Sequence, residues 1–293
     1  MPDTRRKPST GERLLRYAWA IGLGGVMMSA CAPTLNLPDP AGPKFEGRFA
    51  PASPDDGAAS LKVVTFNIKL GRQIDKAAAV LQAGDLRGAD VIAVQEVDQT
   101  GAARLAQALR MNYVYYPGVV HPTDHRYFGP AILTRWPIER SWKLTLPHLG
   151  RFRHQQRTAT AAIIRYHGLP VRVYAVHFEA QLRLTATQRA DQVRAVLDDA
   201  RRMAGPVVIA GDFNSYDIGP VLTRAGYLWL SERTGPSISM FSWDHIFAAG
   251  FTPAGSRSSG VAGDTHGASD HHPVWAVMRP VPAALAGGVS SAP

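Results

Sequence analysis

An α/β domain built on mixed β-sheets is the fold class that the sequence predicts, on three observations. Between about residues 61 and 280, short apolar runs alternate with helical patterns, without internal repeats or a second linker. The runs Ala159–Tyr166 and Leu169–Val176 are separated only by His167-Gly168. That spacing is an antiparallel hairpin, so the sheets are mixed rather than purely parallel. Hydrophobic residues make up 45% and charged residues 19% of the 293, a balance that supports a sizeable core.

In order, strands are expected at Leu61–Phe66, Asp90–Val94, Tyr113–Val119, Ala131–Thr134, Ala159–Tyr166, Val171–Val176, Val207–Ala210, His245–Ala248 and Pro273–Met278. Helices are expected at Asp75–Leu86, Gly101–Leu109 and Thr185–Met203. In the last, Ala186, Ala190, Val193, Leu197 and Ala200 recur at helical spacing and form one apolar stripe. Arg189, Arg194, Arg201 and Arg202 fall on its other faces and read as solvated.

The ends of the chain have a different composition. Arg5, Arg6, Lys7, Arg13 and Arg16 precede an apolar run, Tyr17 to Met28, and then Ser29-Ala30-Cys31-Ala32. Residues 1–31 therefore read as a signal peptide and the chain as exported. Met28-Ser29-Ala30-Cys31 also resembles a lipobox, with Met where Leu is usual. Cys31 is the sole cysteine, so an intrachain disulfide is excluded. Acylation there would make a periplasmic or cell-envelope lipoprotein bound to the membrane. Cleavage after Ala32 would make a plainly secreted protein. Residues 32–60, with Pro33, Pro38, Pro40, Pro43, Pro51 and Pro54, read as a semi-extended tether, and residues 281–293 as a flexible tail. A single domain, 61–280, is left between them. The net charge of +9 favours anionic partners, yet the excess is spread along the chain, as on a solvated basic surface.

Polar residues at the ends of apolar runs carry the functional case. Val63–Phe66 ends in Asn67, and Val91–Val94 in Gln95-Glu96. Val171–Val176 ends in His177, and Val207–Gly211 in Asp212-Phe213-Asn214. Ser269-Asp270-His271 stands just before Pro273–Met278. Each alone is more often a turn former or a cap. Together, held on rigid strand ends, such groups can converge in one cleft. Carboxylates and an amide suit a hard cation, Mg²⁺ or Mn²⁺. The histidines beside Asp residues suit proton transfer and charge stabilisation at a phosphoryl centre.

Five segments in this order resemble the endonuclease/exonuclease/phosphatase superfamily. They are Thr65-Phe66-Asn67-Ile68, Asp90 to Glu96, Gly211-Asp212-Phe213-Asn214, Trp243-Asp244-His245-Ile246-Phe247 and Ser269-Asp270-His271-His272-Pro273. The resemblance implies a four-layer α/β sandwich, two mixed β-sheets packed face to face with helices outside. It further implies Glu96 as the main metal carboxylate, with Asn67 and Asp270 close to the ion. Asp212 would be the general base, Asn214 and His177 phosphate contacts, and His271 a phosphate-binding imidazole held in its tautomer by Asp244. Pro130 stands where the family usually has Asn, which removes an amide side chain and a backbone N–H. His121, Asp124, His125 and Arg126 are the candidate replacements.

The leading expectation is an exported, metal-dependent phosphoesterase. A lipid-linked or small phosphodiester is favoured slightly over nucleic acid, because no long Arg/Lys-rich insertion with interleaved aromatics is present. Trp136, Trp142 and Trp229 are candidates to rim the cleft. The alternatives are a secreted DNase I-like endonuclease and, as the minor reading, a non-enzymatic phosphate-binding or scaffold protein on the same fold. No protein partner is evident.

Overall fold

A computed structural model of the chain describes residues 34–51 and 59–282. The strands among them are β1 (Leu35–Asn36), β2 (Phe45–Gly47), β3 (Leu61–Asn67), β4 (Val91–Val97), β5 (Asn112–Tyr115), β6 (Val119–Val120), β7 (Tyr127–Thr134), β8 (Ile138–Leu149), β9 (Gln156–Tyr166), β10 (Leu169–His177), β11 (Val207–Asp212), β12 (Leu228–Trp229), β13 (Asp244–Ala249), β14 (Phe251–Pro253), β15 (Ser259–Val261) and β16 (Val274–Pro280). The α-helices are α1 (Ile74–Leu81), α2 (Gln99–Leu109), α3 (Ala186–Arg201) and α4 (Gly219–Arg224).

Two mixed sheets result. The larger runs β1-β6-β7-β4-β3-β16-β14, with β15 on β16 and the pair β2–β5 attached to β7. The smaller runs β12-β13-β11-β10-β9-β8. Alternation along each strand decides what faces what. Val63, Ala93 and Ile132 of the first sheet meet Ala162, Val173, Val208 and Ile246 of the second in one buried inter-sheet core. Their sequence neighbours Val64, Ile92 and Val94 turn outward, under Ala77, Leu81, Leu105 and Ala106 of α1 and α2. On the other side Tyr174, Val176, Ile209 and Phe247 pack under Val193, Val196 and Leu197 of α3 and Leu222 of α4. The layers are therefore helix, sheet, sheet, helix, as expected.

Register brings the site residues to one end. β3 and β4 are parallel, with Asn67 opposite Gln95. β10 and β11 are parallel, with His177 opposite Asp212. β13 runs antiparallel to β11 and starts where β11 stops, so Asp244 lies opposite Asp212. Gly211 permits the close approach of β10 and β11, since a Cβ there would sit 2.0 Å from the Val176 carbonyl oxygen.

The structure departs from the expected elements where pairing overrides local composition. Part of the expected tether 32–60 is built into the domain: β1 pairs with β6 and β2 with β5. Lys143 Nζ ties down the turn between them through the Leu37 and Gly42 carbonyls, at 2.9 and 2.7 Å. The expected strand Tyr113–Val119 is two strands, interrupted at Pro117-Gly118. The first helix ends at Leu81 and is followed by a 3₁₀ turn at Gly84–Leu86. The Thr185 side chain and Gln188 cap α3 reciprocally. Arg189 on that helix is not solvated. It is buried and donates to the Leu184 carbonyl at 2.9 Å and to Asp217 at 3.2 Å. The signal-peptide reading, with Cys31, and the tail 283–293 lie outside the described residues.

Candidate active site

The strand ends converge on Asp212. Its Oδ2 accepts a hydrogen bond from Asn67 Nδ2 at 3.0 Å and lies 3.5 Å from His177 Nε2 and 3.9 Å from His271 Nε2. Its Oδ1 accepts the backbone N–H of Asn214 at 2.8 Å. Asp244 Oδ2 engages His271 Nδ1 at 2.7 Å. Asn67, His177, Asp212, Asn214, Asp244 and His271 are all buried. The two Asp residues and His271 offer ligand atoms within 4.8 Å of one another.

Glu96 is half-buried beside them. Its Oε1 accepts from Asn67 Nδ2 at 3.3 Å and its Oε2 from the Leu70 N–H at 3.1 Å. It stands in a β-bulge between Val94 and Val97, with φ of 58°. A left-handed glutamate costs about 1–3 kcal/mol, and the bulge re-aims its side chain toward Asn67. Asn214 is also left-handed, φ 49°. Its Nδ2 donates to the Phe178 carbonyl at 3.0 Å, so one of its two amide N–H donors is committed to the backbone.

Asp270 is the outlying member. It is exposed, and its Oδ2 pairs with Lys69 Nζ at 2.9 Å. The link to the centre runs through Ser269, whose Oγ donates to the Asn67 carbonyl at 2.7 Å and accepts the His271 N–H at 3.1 Å. Ser237 Oγ similarly accepts the N–H of Asp244 at 3.1 Å. Lys69, Ser237 and Ser269 are positioning groups that nothing in the sequence pattern singles out, apart from the position of Ser269 beside Asp270.

Electrostatics separates the titratable groups. Burial raises Asp212, the nearby Asp244 charge raises it further, and despite His271 and its hydrogen-bond donors it reaches about 7. Burial presses His271 toward neutrality, but the Asp244 carboxylate outweighs that and holds it at about 9. His177 is pushed well below the usual histidine range by burial and by the Arg157 and His271 charges, so it is neutral. Burial likewise lowers His245 to about 4. That ring packs among Phe213, Trp229 and Phe247 and takes no part in the cluster.

The loop residues considered as replacements for the missing amide at Pro130 are largely committed to one another. His121 Nδ1 bonds Asp124. Arg126 is shared between Asp98 at 2.7 Å, Asp124 at 3.1 Å and the Leu70 carbonyl at 3.2 Å. The three tryptophans do not rim the cleft. Trp136 is in the inter-sheet core with its Nε1 on Asp90 at 3.0 Å. Trp142 and Trp229 pack on the outer face of the smaller sheet.

Known proteins agree with this architecture. No curated protein sequence matches the chain. Among solved structures, an endonuclease/exonuclease/phosphatase from Beutenbergia cavernae superposes with a TM-score of 0.61 at 21% identity, covering 76% of this chain and 72% of that one. A humanized TDP2 from D. rerio gives 0.59 at 18% identity, covering 76% and 100%. Sphingomyelinase C from Streptomyces griseocarneus gives 0.54 at 18% identity, again covering 76% and 100%. At these identities the likeness is one of fold. The family model of the endonuclease/exonuclease/phosphatase family matches residues 64–271, from within β3 to His271. The chain belongs to the endonuclease/exonuclease/phosphatase family, and is a hydrolase acting on phosphoester bonds.

Proposed function

We propose that this chain is an exported phosphodiesterase whose general base is Asp212 and whose cation is Mg²⁺ or Mn²⁺. One observation carries the reading: the unbroken polar chain from Glu96 through Asn67 and Asp212 to His271 and Asp244. The cation side is Glu96, with Asn67 and Asp270. Its two carboxylates offer oxygen donors, which fit a hard divalent ion, while the Asn67 amide turns Nδ2 to Glu96 and Asp212 and its Oδ1 to the Lys69 N–H at 3.1 Å. Both carboxylates already draw positive groups, Glu96 the Asn67 and Leu70 N–H donors and Asp270 the Lys69 ammonium. Asp244 Oδ2 is committed to His271, which supports reading the Asp212–Asp244–His271 group as the proton-handling side. When bound, the cation would polarise a phosphoryl oxygen as a Lewis acid.

The chain's own residues do the rest. Asp212, raised to about 7, is a carboxylate basic enough to take the proton of the attacking water near neutral pH. The Asn67 amide and the Asn214 N–H hold that carboxylate from two sides and fix the direction in which it accepts the proton. Asp244 keeps His271 protonated and fixes which ring nitrogen faces Asp212, so Nε2–H is directed at the anionic phosphoryl group. His177, neutral, adds an uncharged polar contact from the end of the neighbouring strand β10.

The substrate we favour is a phosphodiester at a lipid surface. Support comes from the loops around the cleft, which expose large apolar side chains: Phe152 (75% exposed), Leu182 (87%) and Met240 (77%). The Phe152 and Leu182 loops are joined by the Arg151 N–H to the Arg183 carbonyl at 3.0 Å. Met240 lies on the loop that carries Ile238, bridged to His271. Acylation of Cys31 would hold the domain at the same surface. A screen of purified protein with Mg²⁺ or Mn²⁺ over phospholipid vesicles, plasmid DNA, RNA and inositol phosphates tests the proposal. Turnover of phospholipid above the others is expected. Preferential cleavage of DNA would replace the lipid reading with that of a secreted nuclease.

A further inference from the structure

The turn between β8 and β9 and the loop after β10 rise from the same end of the smaller sheet as Asp212. β10 ends at His177, opposite Asp212, and the start of β9 runs beside it, with Ala159 opposite Val176. The turn holds one aromatic side chain out. Phe152 is left-handed, with φ of 70°, and His154 likewise at 50°, a conformation unfavourable for bulky L residues. It is fixed by the Gly150 N–H on the Gln155 carbonyl at 3.0 Å and the Arg153 N–H on the Arg151 carbonyl at 2.9 Å. The apolar tips of the two joined loops, Phe152 and Leu182, are the large side chains left most open at this end, with Leu149 beside them 45% exposed. Residues 149–156 hold Arg151 and Arg153 and no acid. The one acid of residues 178–184, Glu179, is fully buried and shared by Arg157 at 3.1 Å and Arg183 at 3.6 Å. The patch is therefore apolar at its tips and net positive around them.

The N-terminal segment joins the domain at this same turn. The Thr34 N–H donates to the Arg153 carbonyl at 2.9 Å, and Asn36 Nδ2 to the His154 carbonyl at 2.8 Å. Asn36 Oδ1 accepts the Gln156 N–H at 2.7 Å. Thr34 is buried there, and β1 continues the attachment on β6. Cys31 stands three residues before Thr34 in the sequence, a span of at most about 11 Å of extended chain. An acyl anchor on Cys31 would thus be delivered beside the turn that bears Phe152.

We propose that these two loops form a docking surface for a bilayer with acidic headgroups. Phe152 and Leu182 enter the apolar boundary, Arg151 and Arg153 pair with lipid phosphates, and the Asp212 end of the sheets is turned toward the membrane. Binding of this kind grows with the apolar area buried and with attraction to anionic lipid. A nucleic-acid backbone would use the arginines and leave the two apolar tips in water. The surface alone gives a weak, reversible contact, and stable retention takes a second signal. Cys31→Ser protein therefore leaves the membrane fraction and still partitions onto concentrated vesicles. The proposal rests on the lipid-surface reading above and adds the face, the lipid charge and the orientation.

The test uses Cys31→Ser protein from the soluble exported fraction, which has no other cysteine. Phe152→Cys, Leu182→Cys or Asp85→Cys then takes an environment-sensitive fluorophore. Asp85 is exposed and precedes β4, whose other end carries Glu96. The vesicles are phosphatidylcholine with phosphatidylglycerol, with or without a lipid-borne quencher. Labels at 152 and 182 should shift blue and be quenched from the bilayer, and the label at 85 should not. Co-sedimentation should weaken about tenfold or more on phosphatidylcholine alone, or with Arg151→Glu and Arg153→Glu together. Phe152→Ser with Leu182→Ser should weaken it as much, while cleavage of a soluble aryl phosphodiester is unchanged. Labels at 152 and 182 that stay in water on vesicle-bound protein, or quenching equal at all three positions, overturn the proposal. So does binding indifferent to phosphatidylglycerol. Docking as described without turnover of phospholipid keeps the surface and removes the lipid-substrate reading. Undiminished turnover of vesicle phospholipid by the double serine variant keeps that reading and removes the surface.

Discussion

Replacing Asp244 by Asn takes one negative charge out of the hydrogen bond to His271 while conserving size and an oxygen acceptor. In the wild type that bond is 2.7 Å long and buried, and with the Asp244 charge it raises the imidazole from the ordinary 6.5 to about 9 against the effect of burial. At about 1.4 kcal/mol for each tenfold change in proton affinity, the difference amounts to roughly 3 kcal/mol. The sign follows from linkage. A histidine whose pKa is higher folded than unfolded adds stability that is fully present below the unfolded value, 6.5, and is lost as pH rises through about 9. Histidine-selective NMR titration of wild type and Asp244→Asn, paired with urea unfolding at the two ends of that window, reads both quantities. In the variant, burial is opposed only by the more distant Asp212 and Asp270 charges, so His271 should titrate at or below the ordinary value. The stability loss across the window should disappear with it. In kinetics, the alkaline limb of the rate profile should move to lower pH, and adding His271→Ala should cost little more, since the two act as one unit. A His271 that still titrates near the wild-type value in Asp244→Asn would refute the reasoning.

Glu96→Ala should lower hydrolysis by about a hundredfold or more and weaken Mg²⁺ binding, measured by initial rates against metal concentration and by calorimetry. Asn67→Ala should also impair catalysis, because its amide joins Glu96 to Asp212; burial without that donor should raise the Asp212 pKa further and move the acid limb of the rate profile upward. Gly211→Ala should destabilise by about 1–3 kcal/mol or more, read from chemical unfolding, since the new methyl would overlap the Val176 carbonyl. Cys31→Ser should release the protein from the membrane fraction if Cys31 carries acyl chains, because several chains together give stable retention; an unmodified mature N-terminus at Pro33 would show plain secretion.

Much of the site was legible because buried strands announce themselves. Val91–Val94 and Val207–Ala210 are continuous apolar runs, and Val63–Phe66 is broken only by Thr65, as strands covered on both faces tend to be, and the polar residue that follows each is conspicuous. What the sequence does not display is pairing. β8 spans Ile138–Leu149 as a half-exposed strand containing Pro147, with no apolar run to mark it. β1 and β2 exist only because β6 and β5 offer them hydrogen bonds. The strained backbone of Glu96 depends on a bulge against β7, which no spacing rule encodes. Arg189 sits at a helix position that reads as solvated, yet the loop preceding α3 folds over it and supplies the Leu184 and Gln181 carbonyls as acceptors.

The central claim is hydrolysis of a phosphodiester by a cation-bearing site with Asp212 as base. The most direct measurement is the initial rate of cleavage of an aryl phosphodiester by the purified protein in Mg²⁺ or Mn²⁺, repeated in excess chelator and with Asp212→Asn. The account predicts cleavage that chelator abolishes and metal restores, and that Asp212→Asn reduces by about a hundredfold or more with the fold intact. Undiminished cleavage in chelator, or by Asp212→Asn, would contradict it.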